Sequence, residues 1–330
     1  MIITRTPFRV SFFGGGTDYP DWYRQEGGAV LSSTVDKYCY ITARWFPPFF
    51  PNRHRIVWSH IELVSTVAEI LHPAVREGMG MLGFSDDRGV EIHHHGDLPA
   101  RAGMGSSSSF AVGLIAALRA LRGNPVATAA ELAKLAITLE QDRLREHVGC
   151  QDQIAAAYGG FNRIEFATDG TFTVHPVSLP GARIEALEQR LSLVFTGASR
   201  LASSVAQSVI ESLELRRESL RRMRRMVTEG QQILEGQGSL DDFGALLHEA
   251  WMQKRGLSEQ ISTSQIDRIY ATARSHGAIG GKLLGAGGAG FLLLFTPPEA
   301  QASVREALGE LVHVPISFRQ AGASIIYQEK

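Results

Sequence analysis

Glycine in this chain is concentrated in three clusters that lie far apart along the sequence. They are Gly14–Gly16, the pair Gly103 and Gly105, and the stretch 280–290, and the total of 34 glycines in 330 residues exceeds the usual share of about 7%. Glycine allows the backbone to bend sharply or to approach a ligand closely. Three such places in one chain predict a functional site built from loops.

The hydrophobic pattern predicts strands mixed with helix pairs in both halves of the chain. The first 60 residues are mainly typical of strands. Helical spacing is predicted for 61–71, 110–122, 128–146, 151–158, 202–235, 240–255 and 264–276. Such a mixture is typical of an α+β fold. The turn Leu179–Gly181 marks the expected boundary between a first domain, 1–179, and a second domain, 180–330.

The segment from Leu98 to Ser109, LPARAGMGSSSS, leads directly into a helical pattern. Its glycines let backbone N–H groups converge, and the helix N-terminus adds unpaired donors. The serine hydroxyls supply further donors, and one of them can ligate a hard cation. A serine cap on an ordinary helix is the simpler alternative. Because four serines exceed what one cap requires, we expect a phosphate site.

Two common phosphate-binding motifs do not fit this segment. A Walker loop needs a lysine, and no lysine stands between Lys37 and Lys134. A dinucleotide-binding Gly-x-Gly-x-x-Gly would need glycine where Ser108 stands. A nicotinamide-dependent oxidoreductase is therefore the weaker alternative.

Three motifs resemble those of the GHMP kinases, the family of galactokinase, homoserine kinase, mevalonate kinase and phosphomevalonate kinase. The second motif, Pro-x-x-x-Gly-Leu-Gly-Ser-Ser, is similar to Pro99–Ser107, with Met104 in place of leucine. The first resembles TPFRVSFFGGGTD at 6–18, and the third resembles KLLGAGGAGF at 282–291. The resemblance implies a two-domain α+β architecture. Its N-terminal half would be ribosomal protein S5 domain 2-like, its C-terminal half ferredoxin-like, and its active site would lie in the cleft between them.

The resemblance also implies an ATP-dependent carbohydrate kinase that uses Mg²⁺. The residues expected to bind ATP are Pro99, Arg101, Ala102, Gly103, Met104, Gly105, Ser106, Ser107 and Ser108. Ser107 and Glu140 are expected to hold the metal ion. Glu140 lies on an apolar helix face, where a carboxylate needs a partner, either a metal ion or an arginine. Asp152 is the expected catalytic aspartate, with Arg9 beside it; a plain helix cap is the alternative for Asp152.

The first motif departs from galactokinases, which have Glu-His where this chain has Gly15 and Gly16. This argues against galactose as the substrate and leaves more room in the pocket. The Gly-Gly-Gly-Thr-Asp version resembles the heptose kinase and fucokinase branch. That branch implies transfer to the anomeric hydroxyl of a heptose 7-phosphate, with L-fucose or another unphosphorylated sugar as the alternative.

The residues expected to bind the substrate are Gly15, Gly16, Thr17, Asp18, Gly287, Gly288, Arg200 and Lys254. The last two would belong to a second phosphate site, away from the ATP loop, formed with Ser199, Ser203 and Arg255. Serines and an arginine that open a long helix suit an anion. A solvated Arg200, or one paired with a surface carboxylate, is the alternative.

Composition excludes several other classes of protein. Lys and Arg number 33 against 34 Asp and Glu, a net charge of −1, which argues against a nucleic-acid partner. No apolar run reaches the roughly 18–20 residues of a membrane helix. Two cysteines make neither a disulfide framework nor a zinc site, and His93–His95 lack further ligands for a metal. With no secretory signal at 1–5, we expect a cytoplasmic protein.

A catalytically inactive relative, acting as a binding module, is the remaining alternative. Such a protein would lose Asp152, Glu140 or Ser107. All three residues are present, which favours an enzyme.

Overall fold

The computed structural model describes residues 1–197, 207, 210 and 215–329. The strands are β1 (Ile2–Phe13), β2 (Gly28–Trp45), β3 (His54–Val57), β4 (Ile61–Val64), β5 (Val90–Gly96), β6 (Phe161–Phe166), β7 (Phe172–Pro176), β8 (Leu191–Phe195), β9 (Gly280–Leu283), β10 (Phe291–Phe295), β11 (Val312–Val314) and β12 (Ser324–Gln328). The described α-helices are α1 (Pro20–Glu26), α2 (Pro73–Met81), α3 (Ser106–Leu121), α4 (Ala129–Ile137), α5 (Gln151–Tyr158), α6 (Gly181–Glu188), α7 (Arg217–Glu235), α8 (Asp241–Arg255), α9 (Ser264–Ser275) and α10 (Gln301–Ala307).

The first sheet has eight strands. Strands β12, β1, β2, β5, β3 and β4 follow one another, and β6 and β7 extend from β2. Helix α3 packs across β1 and β2 and is buried along most of its length, as expected for a helix that is apolar on nearly every side. The backbone N–H of Arg9 in β1 donates to the carbonyl of Met104, 3.1 Å away, which fixes the segment preceding α3 against the sheet.

The second sheet has four antiparallel strands in the order β11, β8, β10, β9. Along the chain these strands and their helices follow the βαββαβ arrangement of a ferredoxin-like domain, which confirms the expected C-terminal architecture. Helix α8 packs on β9. This contact brings the C-terminal end of α8 to the strand that begins the third glycine-rich motif.

Aromatic side chains join the two halves. Phe243 of α8 meets Phe12 and Phe13 of β1 edge-on, with ring centroids 5.4 and 5.1 Å apart. Helix α7 approaches β1 so closely that a Cβ on Gly230 would lie 2.4 Å from the Phe13 ring. Two clusters of buried apolar side chains each contain residues of both halves. None of the helices in the described ranges is long and apolar enough to cross a membrane.

The predicted helix at 61–71 is wrong, because this segment forms β4 and a short 3₁₀ turn, Val67–Glu69. Glu62 is buried in β4 and accepts hydrogen bonds from the Trp58 indole and from the backbone N–H groups of Leu71 and His72. These bonds stabilise the extended conformation. The residues on either side of Glu62 are exposed, so the strand inverts the usual apolar-inside alternation.

The helix expected over 128–146 begins as predicted, with the Thr128 hydroxyl accepting the Glu131 N–H at 3.1 Å. It is regular only to Ile137, and the π-helical turn Thr138–Arg143 follows. A π-turn inside a helix is frequently found at a functional site, and this one carries Glu140. The predicted helix at 202–235 is described from Arg217 onward; its first part lies outside the described residues.

The expected boundary at 179/180 falls between β7 and α6 and remains a prediction, but the last strand returns to the first sheet. Strand β12 pairs with β1, from Ile2–Gln328 to Arg5–Ser324. Just before β12, two isolated β-bridges, Val35 with Phe318 and Gly159 with Ala321, attach the chain to the first half. The pairing covers the outer edge of β1, which would otherwise be an open sheet edge. Residues 324–328 therefore belong structurally to the first half, and not to a second domain that runs to 330.

Candidate active site

A cleft between the two halves gathers most of the predicted loops. One wall is formed by β1, the loop after it, the segment that opens α3, and residues 147–152. The other wall is formed by the end of α8, Ile261 and the start of the third motif. The lining residues are Arg9, Ser11, Gly15, Gly16, Asp18, Tyr19, Arg101, Gly103, Gly105, Ser106, Ser107, Ser108, His147, Val148, Gly149, Gln151, Asp152, Lys254, Leu257, Ile261, Lys282, Gly285 and Ala286.

The predicted phosphate loop, Gly103–Ser108, opens into this cleft. Gly103 and Gly105 have φ angles of +84° and +74°, in the region that favours glycine. Helix α3 begins at Ser106, and the first N–H groups of a helix have no acceptor within it. Ala102 and Met104 are buried and hold the loop from below, so these two predicted ATP residues do not line the cleft.

Gly103 also touches the second half of the chain. A Cβ on Gly103 would lie 2.5 Å from the Leu284 carbonyl oxygen, and one on Gly285 would lie 2.5 Å from the Gly103 Cα. These distances forbid any side chain, since real Cβ atoms essentially never come within 3.0 Å of another heavy atom. The second and third glycine clusters are therefore packed against each other.

Gly287 and Gly288, expected to bind substrate, lie elsewhere. A Cβ on Gly287 would lie 2.9 Å from the Ile261 Cα, and the Gly288 N–H donates to the Ile261 carbonyl at 2.9 Å. Neither residue lines the cleft. These contacts hold the loop around Ile261, and substrate binding by Gly287 and Gly288 stays a prediction.

Arg9 and Asp152 form a bidentate ion pair in the cleft. Nε of Arg9 donates to Oδ1 at 2.7 Å, and Nη2 donates to Oδ2 at 2.6 Å. The remaining guanidinium nitrogen, Nη1, donates to the Gly103 carbonyl at 2.7 Å. The planar guanidinium fixes the plane of a bound carboxylate. The structure therefore brings the two predicted catalytic residues together and ties both to the phosphate loop.

Glu140 lies beneath the phosphate loop and is 1% exposed. Its Oε2 accepts hydrogen bonds from the Ser108 hydroxyl at 2.6 Å and from Nε2 of Gln153 at 2.5 Å. Burial raises the pKa of Glu140 to about 7, although both hydrogen bonds act in the opposite direction.

Ser107, the serine expected to hold the metal ion together with Glu140, is exposed in the first turn of α3. Ser108, the next residue, is buried, and it is the serine whose hydroxyl contacts Glu140. Metal binding by Ser107 and Glu140 stays a prediction.

Asp18 and Gln151 form a buried polar corner of the cleft. Asp18 is 2% exposed and accepts hydrogen bonds from the Gly16 N–H and from Gln151 Nε2, both at 2.9 Å. Burial raises the pKa of Asp18, and the nearby Asp152 carboxylate raises it further. The Thr17 hydroxyl faces away from the cleft and donates to the Gly14 and Ala29 carbonyls. Thr17 therefore shapes the loop, and its expected contact with the substrate stays a prediction.

Two buried polar atoms next to this corner have no hydrogen-bond partner among the described residues. They are the Ser11 hydroxyl and the Gln151 side-chain carbonyl. A Cβ on Gly15 would lie 3.6 Å from Gln151 Nε2 and 3.8 Å from Ser11 Oγ, so both side chains border the space beside Gly15. Buried polar groups are normally hydrogen-bonded, and a ligand with several hydroxyl groups would supply the missing partners.

The expected second phosphate site lies partly outside the described residues and stays a prediction. Lys254 lies in the main cleft, where its Nζ donates to the carbonyls of Leu283 and Gly285 at 2.9 and 2.5 Å. Arg255 is paired with Asp267 at 2.9 Å. The other expected members of that site, Ser199, Arg200 and Ser203, lie outside the described residues.

Sequence reasoning missed several residues that line the cleft, among them Ser11, Tyr19, His147, Gln151 and Lys282. Ser11 and Tyr19 flank the first glycine cluster, and Gln151 adjoins Asp152. The signal that could have revealed Lys282 is a cation inside an otherwise apolar strand of the third motif.

Comparisons with known proteins agree with this geometry. The N-terminal domain of the GHMP kinases matches residues 62–160, and the C-terminal domain matches residues 213–313. A D-glycero-alpha-D-manno-heptose 7-phosphate kinase from Campylobacter jejuni is 30% identical over 93% of this chain and 93% of that protein. The chain belongs to the GHMP kinase family. It is therefore a kinase with ATP as its co-substrate, as the resemblance implied.

Two further relatives of this GHMP kinase are informative. A bifunctional fucokinase/GDP-fucose pyrophosphorylase from Arabidopsis thaliana is 29% identical over 92% of this chain, which spans only 31% of that longer protein. The crystal structure of a D-glycero-D-manno-heptose 1-phosphate kinase from Bacteroides thetaiotaomicron superposes with a TM-score of 0.81 over the whole of both chains, at 22% identity. At that identity the match confirms the fold.

Proposed function

We propose that this kinase transfers the γ-phosphoryl group of ATP to the anomeric hydroxyl of a heptose 7-phosphate, forming the 1,7-bisphosphate. The buried corner of Asp18, Gln151 and Ser11 supports a sugar acceptor, because its unpaired polar atoms suit sugar hydroxyls. The C. jejuni relative, named a heptose 7-phosphate kinase, supports the particular sugar.

In the proposed reaction the anomeric oxygen attacks the γ-phosphorus while the bond from that phosphorus to the β–γ bridging oxygen breaks, releasing ADP. Asp152 orients the attacking hydroxyl and receives or relays its proton. An anomeric hydroxyl is more acidic than an ordinary alcohol, so a weak base suffices. Arg9 and the Gly103–Ser108 loop stabilise the negative charge that develops on the phosphoryl oxygens. The bidentate pair keeps Asp152 in place before the substrate arrives.

The residues around Glu140 fit a magnesium ion. No group of three or more His, Cys, Asp or Glu side chains gathers into a metal cage within the described ranges. Mg²⁺ does not need one, because it usually keeps several waters and binds one or two carboxylates together with substrate phosphates. Glu140 is a buried carboxylate whose hydrogen-bond partners are neutral. Glu140 and a serine hydroxyl of the loop would hold the ion, whose charge offsets that of the phosphates.

An L-fucose kinase is the alternative, favoured by the fucokinase relative from A. thaliana. Both candidates phosphorylate an anomeric hydroxyl, so they differ in acceptor and not in chemistry. A panel of heptose 7-phosphate, the unphosphorylated heptose, L-fucose and galactose, assayed with ATP by ADP release, separates them. We expect kcat/KM for heptose 7-phosphate to be at least about tenfold higher than for the others, with phosphate on the anomeric carbon by phosphorus NMR. A preference for L-fucose would overturn the proposed acceptor.

The reaction is tested separately with Asp152→Asn, which keeps the size of the side chain and removes its charge. We expect kcat to fall by roughly 10²–10⁴, the range for loss of a positioned acid or base. Asp169→Asn, in an exposed turn, is the matched control. Near-normal kcat in Asp152→Asn would refute the catalytic assignment, whichever sugar is used.

A further inference from the structure

Lysine is scarce in this chain, and two of the few lysines are buried in the cleft. The sequence has five lysines, at positions 37, 134, 254, 282 and 330, among its 33 basic residues, so arginine carries nearly all of the positive charge. Lys254 is 8% exposed and Lys282 is 4% exposed. Lysine is rarely buried without a partner. In a chain whose basic residues are mostly arginine, two lysine side chains are therefore buried in the same cleft.

Lys254 is held at the junction of the phosphate loop and the third motif. Two of its three N–H bonds are directed to the carbonyls of Leu283 and Gly285, which leaves one donor for the cleft. Gly285 packs on Gly103, and the Gly103 carbonyl accepts from Arg9. Lys254 thus lies one backbone contact away from the loop that receives the nucleotide phosphates.

Lys282 adds a second ammonium group from β9. Its Nζ donates to the Phe12 carbonyl of β1 at 2.8 Å, leaving two donors. All hydrogen-bond acceptors of the two lysines in the described residues are uncharged carbonyls. The two carboxylates that line the cleft are already engaged, Asp152 with Arg9 and Asp18 with Gln151. Burying a cation without a counter-ion is costly, and a bound anion would supply the counter-ion that these contacts do not provide.

We propose that Lys254 and Lys282 bind the phosphoryl group that ATP transfers, from the wall of the cleft that α8 and the third motif form. The inference rests on the proposed phosphoryl transfer, but not on the identity of the sugar. It replaces the expectation that Lys254 binds a phosphate already present on the acceptor. That phosphate is carried by the carbon farthest from the anomeric oxygen, whereas Lys254 adjoins the loop and the Arg9–Asp152 pair. A loose transition state spreads charge over the phosphoryl oxygens, and fixed ammonium groups stabilise it there.

The binding test uses nucleotides alone. We expect Lys254→Met and Lys282→Met each to weaken binding of the non-hydrolysable analogue AMP-PNP by about tenfold or more, and binding of ADP by less than about threefold, because ADP lacks the γ-phosphate. Lys254→Arg should recover part of the loss. Lys134→Met, an exposed lysine on α4, is the matched control and should bind both nucleotides normally. Equal losses for ADP and AMP-PNP in folded variants would overturn the proposal.

The kinetic test compares a phosphorylated and an unphosphorylated acceptor. We expect Lys254→Met to lower kcat by roughly 10²-fold on both, with little change in the ratio of their KM values. A loss confined to the phosphorylated acceptor would overturn the proposal in favour of an acceptor-phosphate site. If the wild-type protein phosphorylates none of the tested sugars, the proposed acceptor fails while the nucleotide test still decides the role of the lysines.

Proton uptake gives a third measurement. Burial, with Arg9 as the next contribution, lowers the pKa of Lys254 to about 7, while Asp18 and Asp152 act in the opposite direction. The remaining charged group that faces it is Lys282, whose pKa burial and Lys254 also lower. A bound phosphate should raise both values. Calorimetry of AMP-PNP binding at pH 8 in buffers of different ionisation enthalpy should therefore detect proton uptake that Lys254→Met reduces. Unchanged uptake in a folded variant would count against the proposal.

Discussion

Gly149 controls the position of Asp18, and its replacement by alanine should damage the acceptor site selectively. A Cβ on Gly149 would lie 1.9 Å from Oδ2 of Asp18, although Cβ contacts below 3.0 Å are essentially never found. Asp18 or the backbone of residue 149 must therefore move by at least 1.1 Å. Asp18 cannot yield freely, because the Gly16 N–H and Gln151 Nε2 hold it at 2.9 Å.

The expected magnitude follows from that displacement. A shift of this size breaks at least one of the two hydrogen bonds, because such bonds weaken steeply beyond normal distances. A misplacement of about 1 Å in an active site costs roughly 10²-fold in rate, or about 2.7 kcal/mol in transition-state stabilisation. We therefore expect Gly149→Ala to lower kcat/KM for the acceptor about 10²-fold. The KM for ATP should stay within about threefold, because the clash is with Asp18 and not with the phosphate loop.

Steady-state kinetics with the best sugar acceptor, at saturating ATP, measure this effect. Gly181→Ala is the matched control, because nothing lies within 4 Å of the Cβ it would add. Asp18→Asn provides a second route to the same site, with similar shape and no charge, if Gly149→Ala melts at a much lower temperature. An unchanged acceptor kcat/KM in folded Gly149→Ala would refute the assignment of Asp18 to the acceptor site.

Three further predictions test other parts of the structure. Arg9→Lys cannot reproduce the fork that holds Asp152, so we expect kcat to fall by about 10²-fold; activity within threefold of the wild type would contradict this. Because burial raises the pKa of Glu140 to about 7, the free energy of unfolding of the ligand-free protein should fall as pH rises from about 4.5 to 7. Glu140→Gln should remove this pH dependence and be more stable than the wild type at pH 8, by up to about 3 kcal/mol in urea unfolding. An unchanged pH dependence in this variant would refute the prediction. Gly230→Ala should lower unfolding stability by about 1–3 kcal/mol through overpacking against Phe13, with unchanged KM values; a neutral effect would show that α7 can shift.

The regular elements that carry a strong period were predictable from the sequence. The buried helix α3 follows from the apolar spacing predicted over 110–122, and the start of the helix predicted from 128 is confirmed. Strand β4 could not be predicted from its hydrophobic pattern, because Glu62 is buried while Ile61 and Leu63 are exposed. This is the reverse of the alternation that identifies a half-buried strand. Strand β12 could be predicted as a strand, but its partner depends on the free edge of β1, which no local pattern encodes.

The site was predictable where a motif fixes a residue, and unpredictable where tertiary packing decides. Arg9 and Asp152 are 143 positions apart and yet form one ion pair, as the resemblance to the GHMP kinases implied. Which of Ser107 and Ser108 contacts Glu140 depends on the rotation of α3 about its axis. A run of identical serines does not specify that rotation. Lys282 was passed over because strand periodicity treats one cation among apolar residues as an irregularity.

Three glycines of the second and third clusters have a packing role that the sequence did not suggest. At Gly103 and Gly285 the atoms that exclude a side chain belong to the opposite half of the chain, and at Gly290 the nearest such atom is the Ala102 carbonyl oxygen, 2.4 Å from a Cβ position. The Phe291 N–H donates to that same carbonyl at 3.0 Å. The predicted phosphate loop is therefore positioned by backbone contact with the second half. Arg9 contacts the loop by donating a hydrogen bond to the Gly103 carbonyl. The second and third motifs are therefore also a backbone contact between the two halves, and this contact brings the predicted catalytic pair, the predicted phosphate loop and both buried lysines into one cleft.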